Sequence, residues 1–332
     1  MLIHTQQKAM IDNRMTLRKP KIAMYWLAGC GGCEESILDL GEDLFTLADR
    51  AEIVFWPIAM DAKYRDLAAI SDSGIDVTLI NGAVRDEAQV HMARLLRRKS
   101  KIIVAHGSCA HLGGVVGLAE FYGPQALLQR AYRDVPSLES GGMPQAETEL
   151  GDAVLHLPKL RRRVTPLNRV IAVDYYLPGC PPTPELVKGA LFAALAGELP
   201  EKGSVMGDKF ALCRTCPRLD SRPEKIRLKG FKRLHEVHWD PDRCFLDQGL
   251  ICMGPATRGG CGAQCLRANM PCRGCFGPLD NVADQGAGMI SVLAGLLEVT
   301  DPEKLDRLVA RIPDPAGLLY RYTLASSLIK AE

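Results

Sequence analysis

The chain has no run approaching about 18 consecutive apolar residues, so no transmembrane helix is expected. It has no excess of charge of either sign: 41 Lys and Arg stand against 39 Asp and Glu, a net +2. That balance gives no electrostatic footprint for nucleic acid, and the two short basic runs, Arg97 to Lys99 and Arg161 to Arg163, read as solvated faces. Residues 1–20 show no apolar h-region, no twin-arginine pair and no small-residue cleavage site, so a cytoplasmic location is expected. There is no serine-hydrolase elbow, H-E-x-x-H, Walker loop or G-x-G-x-x-G, which leaves no motif for hydrolysis or nucleotide chemistry.

What the chain does have is cysteine, twelve in 332 residues. In a reducing compartment so many thiols point to metal rather than disulfides. With 47% apolar residues the chain can bury a sizeable core, in about two domains.

From Lys21 to about Pro200, short apolar runs alternate with helical patterns. Ile22–Leu27 is continuously apolar, as a buried parallel strand would be, and Glu52–Ile58, Asp76–Ile80, Ile102–Ala105 and Val170–Tyr176 repeat the type. Helical spacing covers Glu34–Asp49, Tyr64–Ile70, Asp86–Arg98 and Thr183–Ala196, the last with Thr183 as N-cap and Pro184 at N1. Five such units predict an α/β fold with a flavodoxin-like, doubly wound parallel sheet. Residues 113–168 are less regular, with a helix near Ala119–Tyr132 and an insertion rich in Gly, Pro and charge.

Residues 207–285 hold eight of the twelve cysteines and few regular periods, so this segment is expected to depend on metal for its fold. Helices return over Met289–Glu298, Glu303–Arg311 and Ala316–Leu328. The expected division is an N-terminal extension (1–18), a flavodoxin-like domain (19–202), a cysteine-rich iron–sulfur domain (203–285) and C-terminal helices (286–332).

Cys30 and Cys33 form C-G-G-C directly after the first strand. Cys109, in G-S-C, follows the fourth, and Cys180, in P-G-C-P-P, follows the fifth. In a parallel sheet all of these positions fall at the carboxyl edge, where such folds bind ligands. Four thiolates therefore converge, the ligand count of a cubane [4Fe–4S] cluster. Gly31, Gly32, Gly107 and Gly179 let backbone approach such a core and aim N–H groups at its sulfides. Structural zinc takes four ligands too, but more often as two short-range pairs.

The other eight cysteines divide by spacing into Cys213, Cys216, Cys244 and Cys252, then Cys261, Cys265, Cys272 and Cys275. On spacing alone, two zinc ribbons compete with two further clusters. Three clusters in one small protein make a relay, which needs no nucleophile and no general base.

W-L-A-G-C-G-G-C-E-E-S at 26–36, A-H-G-S-C-A-H-L-G-G-V at 105–115 and P-G-C-P-P-T-P-E at 178–185 resemble the small subunit of [NiFe]-hydrogenases. The likeness runs from about residue 18 over nearly all of the chain. It is nearest the methyl-viologen-reducing, heterodisulfide-reductase-linked type, with NAD(P)- and deazaflavin-reducing types as near relatives. The resemblance implies electron transfer to or from a nickel–iron centre on a separate large subunit. Cys30, Cys33, Cys109 and Cys180 would ligate a proximal [4Fe–4S] cluster. Cys213, Cys216, Cys244 and Cys252 would hold a distal one, and Cys261, Cys265, Cys272 and Cys275 a medial one. Further implied are an iron–sulfur or flavin acceptor subunit, heterodisulfide-reductase-linked or NAD(P)-linked, and no catalytic residue in this chain.

The periplasmic branch of that family has His as first distal ligand and Pro near the place of Cys265. Cysteine at both positions implies three all-cysteine cubanes with lower potentials. Three other readings stand beside this one: an H2-sensing regulatory subunit, a complex I-like iron–sulfur subunit and a zinc-stabilised interaction module. Complex I-like chains carry adjacent cysteines in the first motif and no eight-cysteine tail. His106 and His111 flank Cys109 and read either as donors to the cluster or as histidines satisfied by backbone, with no ligand role, while His235 and His238 are expected to be surface or packing residues. Glu34 and Glu35 are expected to favour the first helical turn, with a role for Glu35 at the proximal cluster or the subunit contact as the alternative, and Trp26 and Trp56 to pack in the core.

Overall fold

The computed structural model describes residues 18–139, 142–299, 301–312 and 314–329, so the expected extension over 1–18 lies outside it except for Arg18. Five strands form one parallel sheet: β1 (Lys21–Trp26), β2 (Glu52–Phe55), β3 (Ile75–Asn81), β4 (Ser100–His106) and β5 (Tyr175–Leu177). Their order is β2-β1-β3-β4-β5, the flavodoxin-like arrangement. Register aligns the strand ends: Trp26 lies beside Asn81, Asn81 beside His106 and His106 beside Leu177. The loops that carry Cys30, Cys33, Cys109 and Cys180 therefore leave one edge together.

Side-chain alternation divides the strands between two cores. Ile22, Met24, Val77, Leu79, Val104 and Leu177 pack on one face with Ile37, Leu47, Val187 and Leu191. Ala23, Ile80, Ile103 and Ala105 pack on the other with Val90, Met92, Leu96 and Leu167.

Helices α1 (Gly32–Leu38), α2 (Asp43–Arg50), α3 (Tyr64–Ala69), α4 (Glu87–Lys99), α5 (Gly107–Leu112), α6 (Pro124–Tyr132) and α7 (Pro184–Ala196) complete this half. The single helix expected over Glu34–Asp49 is two, divided at Gly41, whose φ is 58°. β2 stops short of the expected Ile58 because Pro57 has no N–H to pair. The helix expected from Ala119 is a 3-10 turn, Val115–Phe121, followed by α6 with Pro124 in its first turn. β5 is shorter than expected: Ile171 is buried with Leu167, and pairing starts only at Tyr175 opposite Val104.

The basic run closing α4 is not a solvated face. Arg97 Nη1 donates to Asp174 at 2.6 Å and Nη2 to the Ser100 carbonyl at 2.6 Å, while Lys99, 8% exposed, pairs with Asp72 at 3.1 Å. Burial works against the Asp174 carboxylate. The Ile103 N–H, Arg97 and Lys202 outweigh burial and hold its pKa below the usual value. Asp174→Asn is expected to cost roughly 1–3 kcal/mol in urea unfolding at pH 7. A carboxylate held low in the fold contributes stability above its unfolded pKa and loses it as pH falls. The gap between variant and parent should therefore close below about pH 4.

Beyond Gly203, regular elements are short, yet an apolar core exists. Leu212, Ile226, Leu228, Phe231, Phe245 and Met253 bury themselves against Met289, Leu293, Leu319 and Leu324 of the C-terminal segment. Cys252 and Cys272 lie within this core, and Cys216, Cys244 and Cys261 pack against it. The third closing helix is not continuous: Pro315–Leu319 and a 3-10 turn, Leu324–Ser326, flank a turn whose Tyr322 carbonyl accepts from the Gly114 N–H at 3.1 Å. No helix among the described residues is long and apolar enough to cross a membrane.

Candidate metal centre

None of the twelve cysteines is in a disulfide. The first four come together at the carboxyl edge. A Cβ placed on Gly107 would stand 2.3 Å from Cys33 Sγ and 3.5 Å from the Gly179 carbonyl, so the three loops nearly touch there. Ser108 ties them: its N–H and hydroxyl both donate to the Gly179 carbonyl, at 2.7 and 2.8 Å. Gly107 (φ 86°) and Gly114 (φ 59°) occupy left-handed backbone that a side chain would strain, and a Cβ on Gly114 would stand 2.3 Å from Cys109 Sγ. Burial raises the Cys33 thiol pKa far above its ordinary value, and the charges of Cys109, Cys180 and Cys30 raise it further. Cys109 is pushed up to about 11, again by burial first and then by Cys180 and Cys30.

The next eight feel one another's charges both within and across the two sets that spacing suggests. Cys213 is raised to about 12 by burial and then by Cys252, Cys216 and Cys244. Cys275 is raised to about 12 by burial and then by Cys261, Cys180 and Cys265. Cys272 is raised by burial and then by Cys252 and Cys275. Cys180, Cys261, Cys265, Cys272 and Cys275 line one cavity of about 300 Å³ together with Tyr322.

Two contacts join the three groups. The Cys275 carbonyl also lies within reach of the Ser108 hydroxyl, whose one proton it shares with the Gly179 carbonyl, linking the first group to the third. The Cys272 N–H points at Cys252 Sγ at 3.3 Å, linking the third to the second. The group 261–275 therefore touches each of the other two.

The residues fit an iron–sulfur core. Buried thiols that repel one another's ionised forms call for a cationic centre to hold them as thiolates. Backbone N–H groups also aim at sulfur, from Arg218 to Cys216 at 3.4 Å and from Gly274 to Cys272 at 3.4 Å. Among the described residues, no three His, Cys, Asp or Glu side chains are grouped as they would be round a single ion.

The two histidines beside Cys109 are packed. His106 is fully buried, with Nε2 3.4 Å from Ser36 Oγ, and the His111 ring lies 4.6 Å from that of Tyr176. Burial lowers both pKa values to about 3, with the Arg258 charge adding to the effect at His111, so both rings are neutral. His235 and His238 are exposed.

Glu35 is exposed, whereas Glu34 is 2% exposed and accepts from Trp56 Nε1 and Asn81 Nδ2, each at 2.5 Å. Trp56 is thus a core residue with a polar task. Glu34→Ala would leave two buried donors unpaired, an expected loss of about 2–4 kcal/mol, read by urea unfolding together with a shift in tryptophan emission. Trp26 departs from the core expectation. It is the last residue of β1, 39% exposed, and its ring lies beneath Gly31 of C-G-G-C. None of the described residues covers that side chain fully.

Sequence reasoning missed three residues. Arg218, 4% exposed, donates to the Leu266 carbonyl and to Asn269 Oδ1 (2.7 Å), with its guanidinium 4.4 Å from the Phe245 ring, which ties the second group to the third. Tyr322 stands among Cys275, Cys180 and Cys265. Asn81 carries no motif. Only Arg218, next to Cys216-Pro217, offered a local signal.

The chain is similar to known proteins over nearly its whole length. Residues 30–194 match the family described as NADH ubiquinone oxidoreductase, 20 Kd subunit. The iron-sulfur subunit of the F420-non-reducing hydrogenase of Archaeoglobus profundus is 40% identical over 94% of this chain and 98% of its own length. Its counterpart in the vhu F420-non-reducing hydrogenase of Methanocaldococcus jannaschii is 39% identical over 94% and 97%. A [NiFeSe]-hydrogenase structure from Dm. baculatum, 19% identical, superposes with a TM-score of 0.50 over 80% of this chain and 96% of that one, a likeness of fold. On sequence identity that runs almost end to end, the chain belongs to the family of F420-non-reducing hydrogenase small subunits, and it is an oxidoreductase subunit of the electron-transfer kind.

Proposed function

We propose that this chain conducts electrons between a nickel–iron centre on a separate large subunit and a redox partner, through three [4Fe–4S] clusters. Cys30, Cys33, Cys109 and Cys180 are the proximal ligands, Cys261, Cys265, Cys272 and Cys275 the medial ones, and Cys213, Cys216, Cys244 and Cys252 the distal ones. The observation that carries this reading is that the 261–275 group touches both of the others, through Ser108 to Cys275 and through Cys272 to Cys252. Bound there, the clusters supply reversible one-electron acceptors at low potential.

The chain's own residues do the rest. Glycines 107 and 114 leave room at the sulfurs, backbone N–H groups donate to them, and the apolar core buries Cys252 and Cys272. The exposed Trp26 and the C-G-G-C loop form the face for the large subunit, an interface of the obligate kind. The acceptor is a further iron–sulfur or flavin subunit, and the chain works in the cytoplasm, where thiols are kept available as metal ligands.

Co-expression under anaerobic conditions with the large subunit tests the proposal. H2-driven reduction of methyl viologen is expected from the pair and from neither chain alone. Activity of this chain by itself, or a pair that splits H2 without exporting electrons, would refute it.

A further inference from the structure

Residues 225–233 read Lys-Ile-Arg-Leu-Lys-Gly-Phe-Lys-Arg: five cations in nine residues and no carboxylate, in a chain whose net charge is only +2. The segment lies extended over the cysteine-rich core with its sides sorted. Ile226, Leu228 and Phe231 are 7%, 2% and 5% exposed, while Lys225, Arg227, Lys229, Lys232 and Arg233 all face solvent. The apolar side belongs to the core that contains Cys252 and Cys272. The result is a basic comb on the outside of the core in which Cys252 and Cys272 are buried.

Other cations from distant segments join it. A cavity of about 410 Å³ is lined by Lys232, Arg233, Arg273, Arg311 and Arg321, beside Ile251 and Pro271, which adjoin Cys252 and Cys272. A second, of about 490 Å³, shares Phe231, Lys232 and Arg311 with the first and adds Arg227, Lys229 and Arg243, the neighbour of Cys244. His235 lines the first and His238 the second. Each cavity has a single carboxylate in its lining, and both are engaged. Asp314 caps a helix by accepting from the Gly317 N–H at 2.9 Å, and Asp247 pairs with Arg243. Arg227 pairs with Glu298, but no ion pair is formed by Lys229, Lys232, Arg233, Arg273 or Arg311 among the described residues.

We infer that this face is the docking surface for an acidic electron-transfer protein, with the comb steering the partner to the outlet beside Cys244 and Cys252. The inference rests on the relay reading above and names the partner's chemistry. The comb cations are exposed and spread over two adjoining cavities. A site built for a small anion would bury its donors. Mobile surface cations suit a broad acidic face, raising the encounter rate by about 10- to 1,000-fold at low salt.

The test uses the two-subunit complex of this chain with its large subunit and, as probe, a strongly acidic low-potential ferredoxin. The readout is the rate of H2-driven ferredoxin reduction divided by that of methyl viologen in the same preparation. In the combined variant Lys229→Glu, Lys232→Glu, Arg233→Glu and Arg311→Glu, this ratio is expected to fall at least about tenfold at low salt. The parent's ratio should fall towards the variant's as salt rises and the screening length shrinks to a few ångströms. The milder set with Gln at the same four positions should fall in between. An unchanged ratio overturns the inference, including the case in which both rates drop together because the fold has suffered. Pyrophosphate binding to the parent but not to the variant, with the ratio unchanged, would assign the face to a small anion instead. Failure of the parent complex to reduce viologen at all would sink the relay reading itself, a distinct outcome.

Discussion

Gly107→Ala is expected to abolish the first thiol cage while leaving the sheet intact. The added methyl would stand 2.3 Å from Cys33 Sγ, well inside van der Waals contact, and the backbone there has φ 86°. Neither neighbour can yield cheaply. Cys33 is anchored in the first turn of α1, and the Ser108 N–H that follows Gly107 is bonded to the Gly179 carbonyl. The sheet core beneath does not include this loop, so circular dichroism should change little. Iron should fall by about four of about twelve atoms per chain, and about four thiols should become titratable. H2-driven viologen reduction should drop by at least about 10- to 100-fold. Gly123→Ala is the matched control: φ is −69° there and an added Cβ meets nothing within 4 Å. An iron content equal to that of the control would overturn the placement of the cage.

The second large effect is expected from Cys261→Ser combined with Cys265→Ser. Both line the cavity that also holds Cys180, Cys272 and Cys275; Cys265 is exposed and Cys261 only packs against the edge of the apolar core, and serine is close in size to cysteine. If the 261–275 group is the middle of the line, its loss separates the ends. Electron delivery to a protein acceptor should fall by about two orders of magnitude or more, as when a metal site loses its ligands. H2/D2 exchange, which needs no electron export, should persist on the partner subunit. The EPR signals of two clusters should survive and one should vanish. Loss of exchange together with delivery would mean that these cysteines serve the assembly rather than the path.

The sheet and its carboxyl-edge cysteines were legible in the sequence because both signals are local. Apolar runs mark parallel strands, and Cys30, Cys109 and Cys180 each follow one. Boundaries were less legible where a neighbour distant in sequence decides them. β5 begins at Tyr175 because that is where Val104 offers a partner, and the last helix breaks where Tyr322 meets Gly114. Spacing divided the eight later cysteines into two groups, but it held no trace of which group lies in the middle. The contacts that bear on it are those of Ser108 with Cys275, 167 residues away, and of Cys272 with Cys252. The buried Glu34 was illegible because its donors, Trp56 and Asn81, stand 22 and 47 residues further on. Trp26 misled because strand position predicts burial, and this strand ends at a face left partly open. The comb over 225–233 was hidden for the opposite reason: its alternation was present, but net charge averaged over the chain concealed it.

What the thiols hold decides whether the chain is a relay. Metal and acid-labile sulfide analysis of the anaerobically isolated complex, coupled to Mössbauer spectroscopy of this chain after iron-57 labelling, measures it directly. About twelve irons and twelve sulfides per chain, all in cubane environments, are expected. Zinc at the 213–275 thiols, or sulfur–sulfur bonds among them with iron confined to one site, would contradict it.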